Sequence, residues 1–425
     1  MSNESKCFSK SLKPRINYLF LLIFSLLLIS TCSIAGAENL FRVKNGRINE
    51  ITSPSLCKPE IVAAGGKFRI RIDSPDAGEV EVIELLPSNG TGETVEPVKT
   101  IFSIKDTTAL YDAAVPSTAA TGLYDVRVRF IGGKVDTQPH SVKIIDSFKK
   151  DFVFSVIADI HFGDTRGDYF APGADFDRLR RNILVAASEI NPEFVLIAGD
   201  ITSMPNDYTR DFKKAWNYFT QYCTAPLFAV PGNHDGYGIR QKKNVFRDGK
   251  IYWTSFLGPA YFYFDYGNLR VIGIDNYEWP AKFRSSSDIG LMSLTESINT
   301  GNMGPGQFEW LKETLESAEG KNKIVFAHLP FDKMKGGMKS LDGSVTIPGV
   351  PAEKIISLLS DAGVSHAFIG HMHRNEIRDV GRFSQVMTNT AGSVLYNPEQ
   401  LWGFSTIHVK DWKIDSIEFT EIGFD

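Results

Sequence analysis

Five short polar clusters carry side chains suited to metal or acid–base chemistry. They are Asp159-Ile160-His161, Gly199-Asp200, Gly232-Asn233-His234-Asp235, His328-Leu329-Pro330 and Gly370-His371-Met372-His373. Counting donors gives Asp159, His161, Asp200, Asn233, His328, His371 and His373, all oxygen or nitrogen ligands with no cysteine among them. This set is too large for a single closed tetrahedral zinc. It suits two adjacent divalent cations of the manganese, iron, cobalt or zinc kind, sharing one carboxylate as a bridge. Taken singly, each cluster is weak, because Gly, Asn and Asp also favour ordinary polar turns for conformational reasons. Their common grammar is more telling: an apolar run, a sharp turn, then a ligand-type side chain.

The apolar runs are Phe152 to Ile157, Phe194 to Ala198, Leu227 to Val230, Lys323 to Ala327 and Ala367 to Ile369, short enough to be strands buried on both faces. Between them, Phe176-Leu179-Ile183-Leu184-Ala187, Phe212-Ala215-Trp216-Phe219, Phe308-Leu311-Leu315 and Ile355-Leu358-Leu359 recur at helix spacing. This is β–α alternation, and ligands gather at the C-terminal ends of the strands in such sheets. Gly199, Gly232 and Gly370 stand directly before the candidate ligands or the turn that bears them, where a missing Cβ permits close backbone approach. A further strand series, Tyr261 to Tyr266, Leu269 to Asp275, Phe383 to Thr388 and Gly403 to Val409, predicts a second sheet packed on the first.

The ordered motifs D-x-H, G-D, G-N-H-D, H and G-H-x-H resemble those of the calcineurin-like metallophosphoesterase superfamily, and the resemblance covers most of Phe152 to Val409. It implies an α/β/β/α sandwich over residues 152–425. It also implies that Asp159, His161 and His373 hold one metal, that Asn233, His328 and His371 hold the other, and that Asp200 bridges them. His234 would protonate the leaving oxygen, oriented by Asp235. The chemistry implied is attack on a phosphoester by a metal-bridging hydroxide, for which no side-chain nucleophile is needed; an imidazole suits the proton transfer. In the purple acid phosphatase branch a Tyr follows the bridging Asp by three residues. Here that position is Ser203, so a tyrosinate-bound ferric site is not expected and the metal pair is left open. With the Tyr missing, the resemblance implies phosphodiesters in preference to monoesters as substrates, small or polymeric.

Residues 38–147 read differently. Phe68 to Ile72, Val80 to Leu86, Val98 to Ile104 and Tyr124 to Phe130 alternate apolar and polar with period two, punctuated by Asp-Ser-Pro-Asp, Pro-Ser-Asn-Gly and Ile-Gly-Gly turns. About seven half-buried strands in this length predict an immunoglobulin-like β-sandwich. Tyr124 at its strand start is either a corner tyrosine bonding a backbone carbonyl or simply a core residue. The domain carries no ligand cluster, so a spacer or binding role is expected, with its partner unknown. Ser147 to Asp151 is the expected link between the domains.

The whole chain has 425 residues, 43% hydrophobic and 23% charged, with a formal net charge of −4. It is globular in composition, and the acidic balance argues against nucleic acid as a partner. Lys6, Lys10, Lys13 and Arg15 precede an apolar run from Tyr18 to Ile29, and Ala35-Gly36-Ala37 follows. Residues 1–37 therefore read as a cleaved signal peptide of a secreted or periplasmic protein without a transmembrane helix. Ile29-Ser30-Thr31-Cys32 also resembles a lipoprotein signal, which would make Cys32 a lipid anchor. Cys57 and Cys223 remain in the mature chain and are expected to be buried thiols. Asn89-Gly90-Thr91 is a glycosylation sequon. His140, His366 and His408 lie outside the motifs and are expected to be structural. Specificity is expected from three loops: Gly236 to Lys250 with Arg240, Lys242, Lys243 and Arg247; Tyr277 to Met303 with Trp279 and Arg284; and Phe331 to Gly343. Two other functions fit the sequence: a surface binding protein with a catalytically idle phosphoesterase scaffold, or a secreted nuclease.

Overall fold

The computed structural model describes residues 49–424 apart from 170, 204–207, 241–245, 285–299, 340–345 and 398. The signal sequence, Cys7, Cys32, Lys242 and Lys243 lie outside the described residues. Among the described residues no helix is long and apolar enough to cross a membrane.

The N-terminal strands form two four-stranded sheets. One runs Ile51–Ser53, Lys67–Asp73, Thr108–Ala114, Val98–Lys105, and the other runs Glu60–Ala63, Val135–Ile145, Gly122–Phe130, Val80–Pro87. Their inward residues, among them Ile70, Ile72, Tyr111, Val126, Val128, Val142 and Ile144, share one core. The period-two pattern is visible in the burial of Lys67–Asp73 and Gly122–Phe130. Val98–Lys105 departs from it. That strand was expected to be half-buried, but it lies at a sheet edge and is exposed along almost its whole length. The Tyr124 hydroxyl donates to the Ala120 carbonyl at 2.8 Å, so its ring packs in the core while its polar end is satisfied. The link after this region is tied down. Phe148 meets Tyr266 edge-on at 5.2 Å, Trp412 N donates to Lys150 O at 3.0 Å, and Lys149 pairs with Glu193 at 2.6 Å.

Two further sheets follow. The first has five strands in the order Leu227–Val230, Val195–Ala198, Phe152–Ile157, Trp402–Lys410, Lys413–Ile422. The second has six: Phe262–Tyr266, Leu269–Gly273, Asn322–Phe326, Val364–Ile369, Phe383–Met387, Glu376–Val380. This corrects the sequence reading in both directions. The strands before His328 and His371 belong to the second sheet, pairing in parallel with each other, and the one before His328 also pairs in parallel with Leu269–Gly273. Conversely, Trp402–Lys410 joins the first sheet, antiparallel to Phe152–Ile157. Strands buried on both faces look alike in sequence whichever sheet takes them, so hydropathy could not sort them.

Alternate residues of these strands feed different cores. Phe194, Leu196 and Ala198 face the second sheet and pack with Val271, Ile324, Phe326 and Phe368. Their neighbours Val195 and Ile197 face Leu179, Ile183 and Leu184 of the helix Phe176–Glu189 and Phe212 of the helix Tyr208–Tyr222. On the far side, Leu311, Leu315, Ile355 and Leu359 from helices Pro305–Glu316 and Ala352–Asp361 cover the second sheet. Helix Phe176–Glu189 starts where Asp175 accepts from the backbone N–H groups of Asp177 and Arg178, a cap that contributes about 1 kcal/mol.

Cys57 and Cys223 are free and buried. Burial pushes both thiols up, Cys223 to about 12. Cys57 belongs to a segment that fastens to the first sheet, its carbonyl accepting from Ala229 N at 3.1 Å.

Candidate metal centre

The seven candidate ligands follow the C-terminal ends of five parallel strands, three in the first sheet and two in the second, so the site forms where those ends meet. The turns are sharp. Asp159, His161, Asp200, His371 and His373 all have positive φ, between 45° and 66°, a left-handed conformation costing roughly 1–2 kcal/mol per residue. Neighbouring turns hold one another: Asp159 N donates to Gly199 O, His161 N to Asp200 O and Gly370 N to His328 O, at 2.9–3.1 Å. Crowding explains two glycines. A Cβ on Gly232 would lie 2.1 Å from Asp200 Oδ1, and one on Gly370 would lie 2.4 Å from Asp159 Oδ2.

Both carboxylates divide their oxygens in the same way. Asp159 Oδ2 accepts from His371 N at 2.8 Å, leaving Oδ1 to face His373 Nε2 at 3.1 Å. Asp200 Oδ1 accepts from His234 N at 2.8 Å, leaving Oδ2 at 3.1 Å from His328 Nε2 and 3.5 Å from His161 Nε2. Asp200 thus stands between two groups of ligands. Candidate metal-holding groups are Asp159–His161–His373, His161–Asp200–His234 and Asp200–His328–His371, with ligand atoms in each within 4.8 Å of one another.

The imidazole orientations test whether a cation fits. A backbone carbonyl can only accept, so His328 Nδ1–H donates to Ala198 O at 2.9 Å and His373 Nδ1–H donates to Val394 O at 2.6 Å. Their Nε2 atoms then present lone pairs inward. His328 Nε2 meets Asn233 Oδ1 at 2.9 Å, His371 Nδ1 meets the same oxygen at 3.2 Å, and His373 Nε2 faces His161 Nε2 at 3.3 Å. His328 Nε2 and Asn233 Oδ1 are two acceptors facing each other at 2.9 Å, which is repulsive unless a cation or proton lies between, so the donor set fits metal ions. All seven predicted ligands are brought into this cluster.

The electrostatics point the same way. Burial alone would raise Asp200, but His328, through its charge and its hydrogen bond, outweighs it and keeps the carboxylate ionised. Asp159 is likewise held well below the ordinary range, His373 and His161 overcoming its burial. For His328, burial is outweighed by Asp200 and the imidazole is pushed up to about 9, whereas burial next to His328 takes His371 down to about 3.

His234 lies beside this cluster, its ring 4.6 Å from that of His161. Its Nδ1–H donates to Ser203 O at 2.6 Å, which leaves Nε2 as the reactive nitrogen. Asp235 was expected to orient this ring, and here the structure corrects the expectation. The buried Asp235 carboxylate instead accepts from the N–H groups of Gly232, Ile201 and Thr202 and from the Thr202 hydroxyl, at 2.8–3.1 Å. It knots the Asp200 turn to the Asn233 turn. Ser203, which stands where another branch carries a ligand tyrosine, contributes its carbonyl.

Several residues of the site carried no sequence signal. Tyr237 receives Asn233 Nδ2–H at 2.8 Å, which turns the amide oxygen toward His328 and His371. Arg180, on the buried face of its helix, donates to the carbonyls of Ile160, Asp164 and Gly392 at 2.6–3.2 Å. Asp164 and Arg166 pair next to Ser393, and Tyr396 stacks on His373. Trp279 and Arg284, expected on a specificity loop, are instead buried. Arg284 donates to the carbonyls of Trp279 and Gly236 and pairs with Asp248 at 2.6 Å, stapling loops together. The side chains of Arg240 and Arg247 lie outside the described residues. Of the other histidines, His366 stacks on Phe368 and His408 faces Glu418 at 3.4 Å.

A family model for calcineurin-like phosphoesterases matches residues 152–375, more than half of the chain, and includes every cluster above. The chain belongs to the calcineurin-like phosphoesterase family. It is a phosphoester hydrolase. Among solved structures, a purple acid phosphatase from yellow lupin (Lupinus luteus) seeds is similar at 13% identity and a TM-score of 0.48, over 85% of this chain and 71% of its own. A dimetal phosphatase from Danio rerio is similar at 18% identity and a TM-score of 0.43, over 61% of this chain and 93% of its own. A putative 5'-nucleotidase from Staphylococcus aureus is similar at 15% identity and a TM-score of 0.36, over 64% and 54%. No curated protein matches the chain by sequence.

Proposed function

We propose that this phosphoesterase is an exported enzyme that holds two divalent cations and hydrolyses phosphodiesters in preference to monoesters. Asp159, His161 and His373 would hold one cation and Asn233, His328 and His371 the other, with Asp200 between them. The observation that carries this reading is the row of inward lone pairs with the Asp200 carboxylate at its centre. Bound there, two cations supply positive charge for the phosphate oxygens and an acidified water at neutral pH. The protein's own part is to fix the ligands in strained turns and to place His234 by the leaving oxygen. His234 is neutral as it stands, burial taking its pKa down to about 3, with its proton on Nδ1. Acting as an acid, it takes up a second proton on Nε2, which an anionic substrate beside it favours. Export rests on the signal-like residues 1–37, with lipidation at Cys32 as the variant form. The diester preference rests on the motif set and on Ser203 in place of tyrosine. Residues 38–147 are assigned as an immunoglobulin-like domain that joins the catalytic domain at 152–425.

The test is hydrolysis of an aryl phosphodiester and its matching monoester by mature protein loaded with manganese or zinc, with His371→Ala as control. Turnover that needs metal and is lost in the control supports the enzyme, and a diester-to-monoester ratio above one supports the preference. A folded protein that binds no metal and turns over neither ester would overturn the reading.

A further inference from the structure

Arg166 opens a short 3-10 turn, Arg166–Tyr169, two residues beyond Asp164. One edge of its guanidinium is fully engaged. Nε and Nη2 fork onto the Asp164 carboxylate at 2.9 Å each, and Nη2 also reaches Ser393 Oγ at 3.4 Å. Asp164 is itself buried, receives the Ser393 hydroxyl, and donates its own N–H to His161 O at 3.0 Å. The residue after Ser393, Val394, holds His373 through its carbonyl. The guanidinium is thus anchored between the loop that carries His161 and the loop whose carbonyl holds His373. Its other edge differs: Nη1 has no partner among the described residues, and the side chain is 41% exposed. Within reach of its charge, the Tyr396 ring stacks on His373, with centroids 4.9 Å apart and planes 20° apart, and is 54% exposed. The Arg166 charge is felt at Tyr396, Tyr237 and His234, three groups bordering the cluster.

A guanidinium that served only to staple its loop would need the fork onto Asp164 and nothing more. A fork held rigid on one edge and free on the other is the geometry that presents donors to a phosphate oxygen. Resting on the phosphoesterase reading of this centre, we propose that Arg166 is a substrate-binding residue whose Nη1 edge takes a non-bridging phosphate oxygen. The exposed face of Tyr396 takes a planar or apolar organic group of the ester. The substrate class is then a phosphoester that carries an aromatic or otherwise planar substituent, bound in the metal-loaded enzyme.

The probe is inorganic phosphate as a competitive inhibitor of the metal-loaded enzyme, used with phenyl and methyl esters of equal charge. Arg166→Lys keeps a cation on Asp164 but cannot present a second edge. It is expected to weaken phosphate inhibition roughly 10- to 100-fold, the span of one charge-assisted hydrogen bond, with metal content and unfolding midpoint retained. Tyr396→Ala is expected to lower kcat/KM for the phenyl ester about 2- to 10-fold more than for the methyl ester. Unchanged phosphate inhibition in Arg166→Lys would overturn the proposal, as would loss of metal or fold in that variant, which would make the residue a loop staple. A wild-type protein that binds metal and hydrolyses esters while Arg166→Lys inhibits normally sinks this assignment alone. A wild-type protein without metal or turnover sinks the phosphoesterase reading instead.

Discussion

Replacing Arg180 by Met removes a buried cation from the helix Phe176–Glu189, and it should loosen the centre. The guanidinium sits on the inward face of Phe176–Glu189 and satisfies three backbone carbonyls: Ile160 at 2.8 Å, Gly392 at 2.6 Å and Asp164 at 3.2 Å. Ile160 lies between Asp159 and His161, so one of these bonds braces the D-x-H turn directly. Each charge-assisted bond is worth about 1.5–3 kcal/mol, and the variant leaves three buried acceptors unpaired. Against this stands the cost of burying the guanidinium, which burial already pushes below its usual pKa and which the variant no longer bears, several kcal/mol. The net expectation is about 3–5 kcal/mol, three unpaired buried acceptors at about 1–3 kcal/mol each less the desolvation relieved. Denaturant unfolding followed by tryptophan fluorescence reads the loss, and metal titration reads the effect on the D-x-H turn. Arg180→Lys should recover only part of it, because an ammonium is a compact point charge that lacks the planar fork. Asp177→Asn, which removes only the half-exposed carboxylate partner at 3.0 Å, should cost under about 1 kcal/mol. Stability of Arg180→Met within about 1 kcal/mol of wild type would refute the reasoning, since at least one buried carbonyl would then have found another partner.

Four other perturbations separate roles that proximity alone confuses. His234→Ala should lose roughly 10²- to 10⁴-fold on esters with poor leaving groups and far less on activated aryl esters, and the advantage of wild type should grow as pH falls toward the low pKa of His234; equal losses on both esters would remove the acid role. Asp235→Asn should lose activity evenly across leaving groups and unfold earlier, because its carboxylate braces turns rather than the imidazole; a pattern matching His234→Ala would restore the rejected orientation. Tyr237→Phe should weaken binding of one of two cations about 10-fold by freeing the Asn233 amide, as read by metal titration, and unchanged affinity for both would count against it. Glu84 lies under Arg127, whose hydrogen bond at 2.8 Å outweighs burial and holds the carboxyl below its usual range. A depressed folded-state pKa adds stability above the unfolded value near 4.5 and loses it as pH falls through the folded one. Glu84→Gln should therefore unfold earlier at pH 7, by about 1 kcal/mol after allowance for the half-exposed arginines, and the gap should close in acid; a gap independent of pH would contradict the pairing.

The sequence by itself determined which residues could meet. Asp159, His161, Asp200, Asn233, His328, His371 and His373 were legible because each follows an apolar run at a tight turn, and because strand ends are where an α/β sheet places its ligands. The period-two alternation of Lys67–Asp73 and Gly122–Phe130 and the helix spacing of Phe176–Glu189 were legible for the same reason: burial on one face leaves a periodic trace. Tertiary structure decided the rest, where a residue's role depends on what lies across from it. Two strands buried on both faces carry the same hydropathy in either sheet, so the move of Trp402–Lys410 into the first sheet had no local signature. Asp235 next to His234 reads as a partner for the ring, but the turn sends its carboxylate to backbone donors 33 and 34 residues away in sequence. Arg180 and Tyr237 act through carbonyls and an amide that approach only after folding. Arg166, in an ordinary polar stretch, owes its free edge to the Asp164 fork that holds the other one.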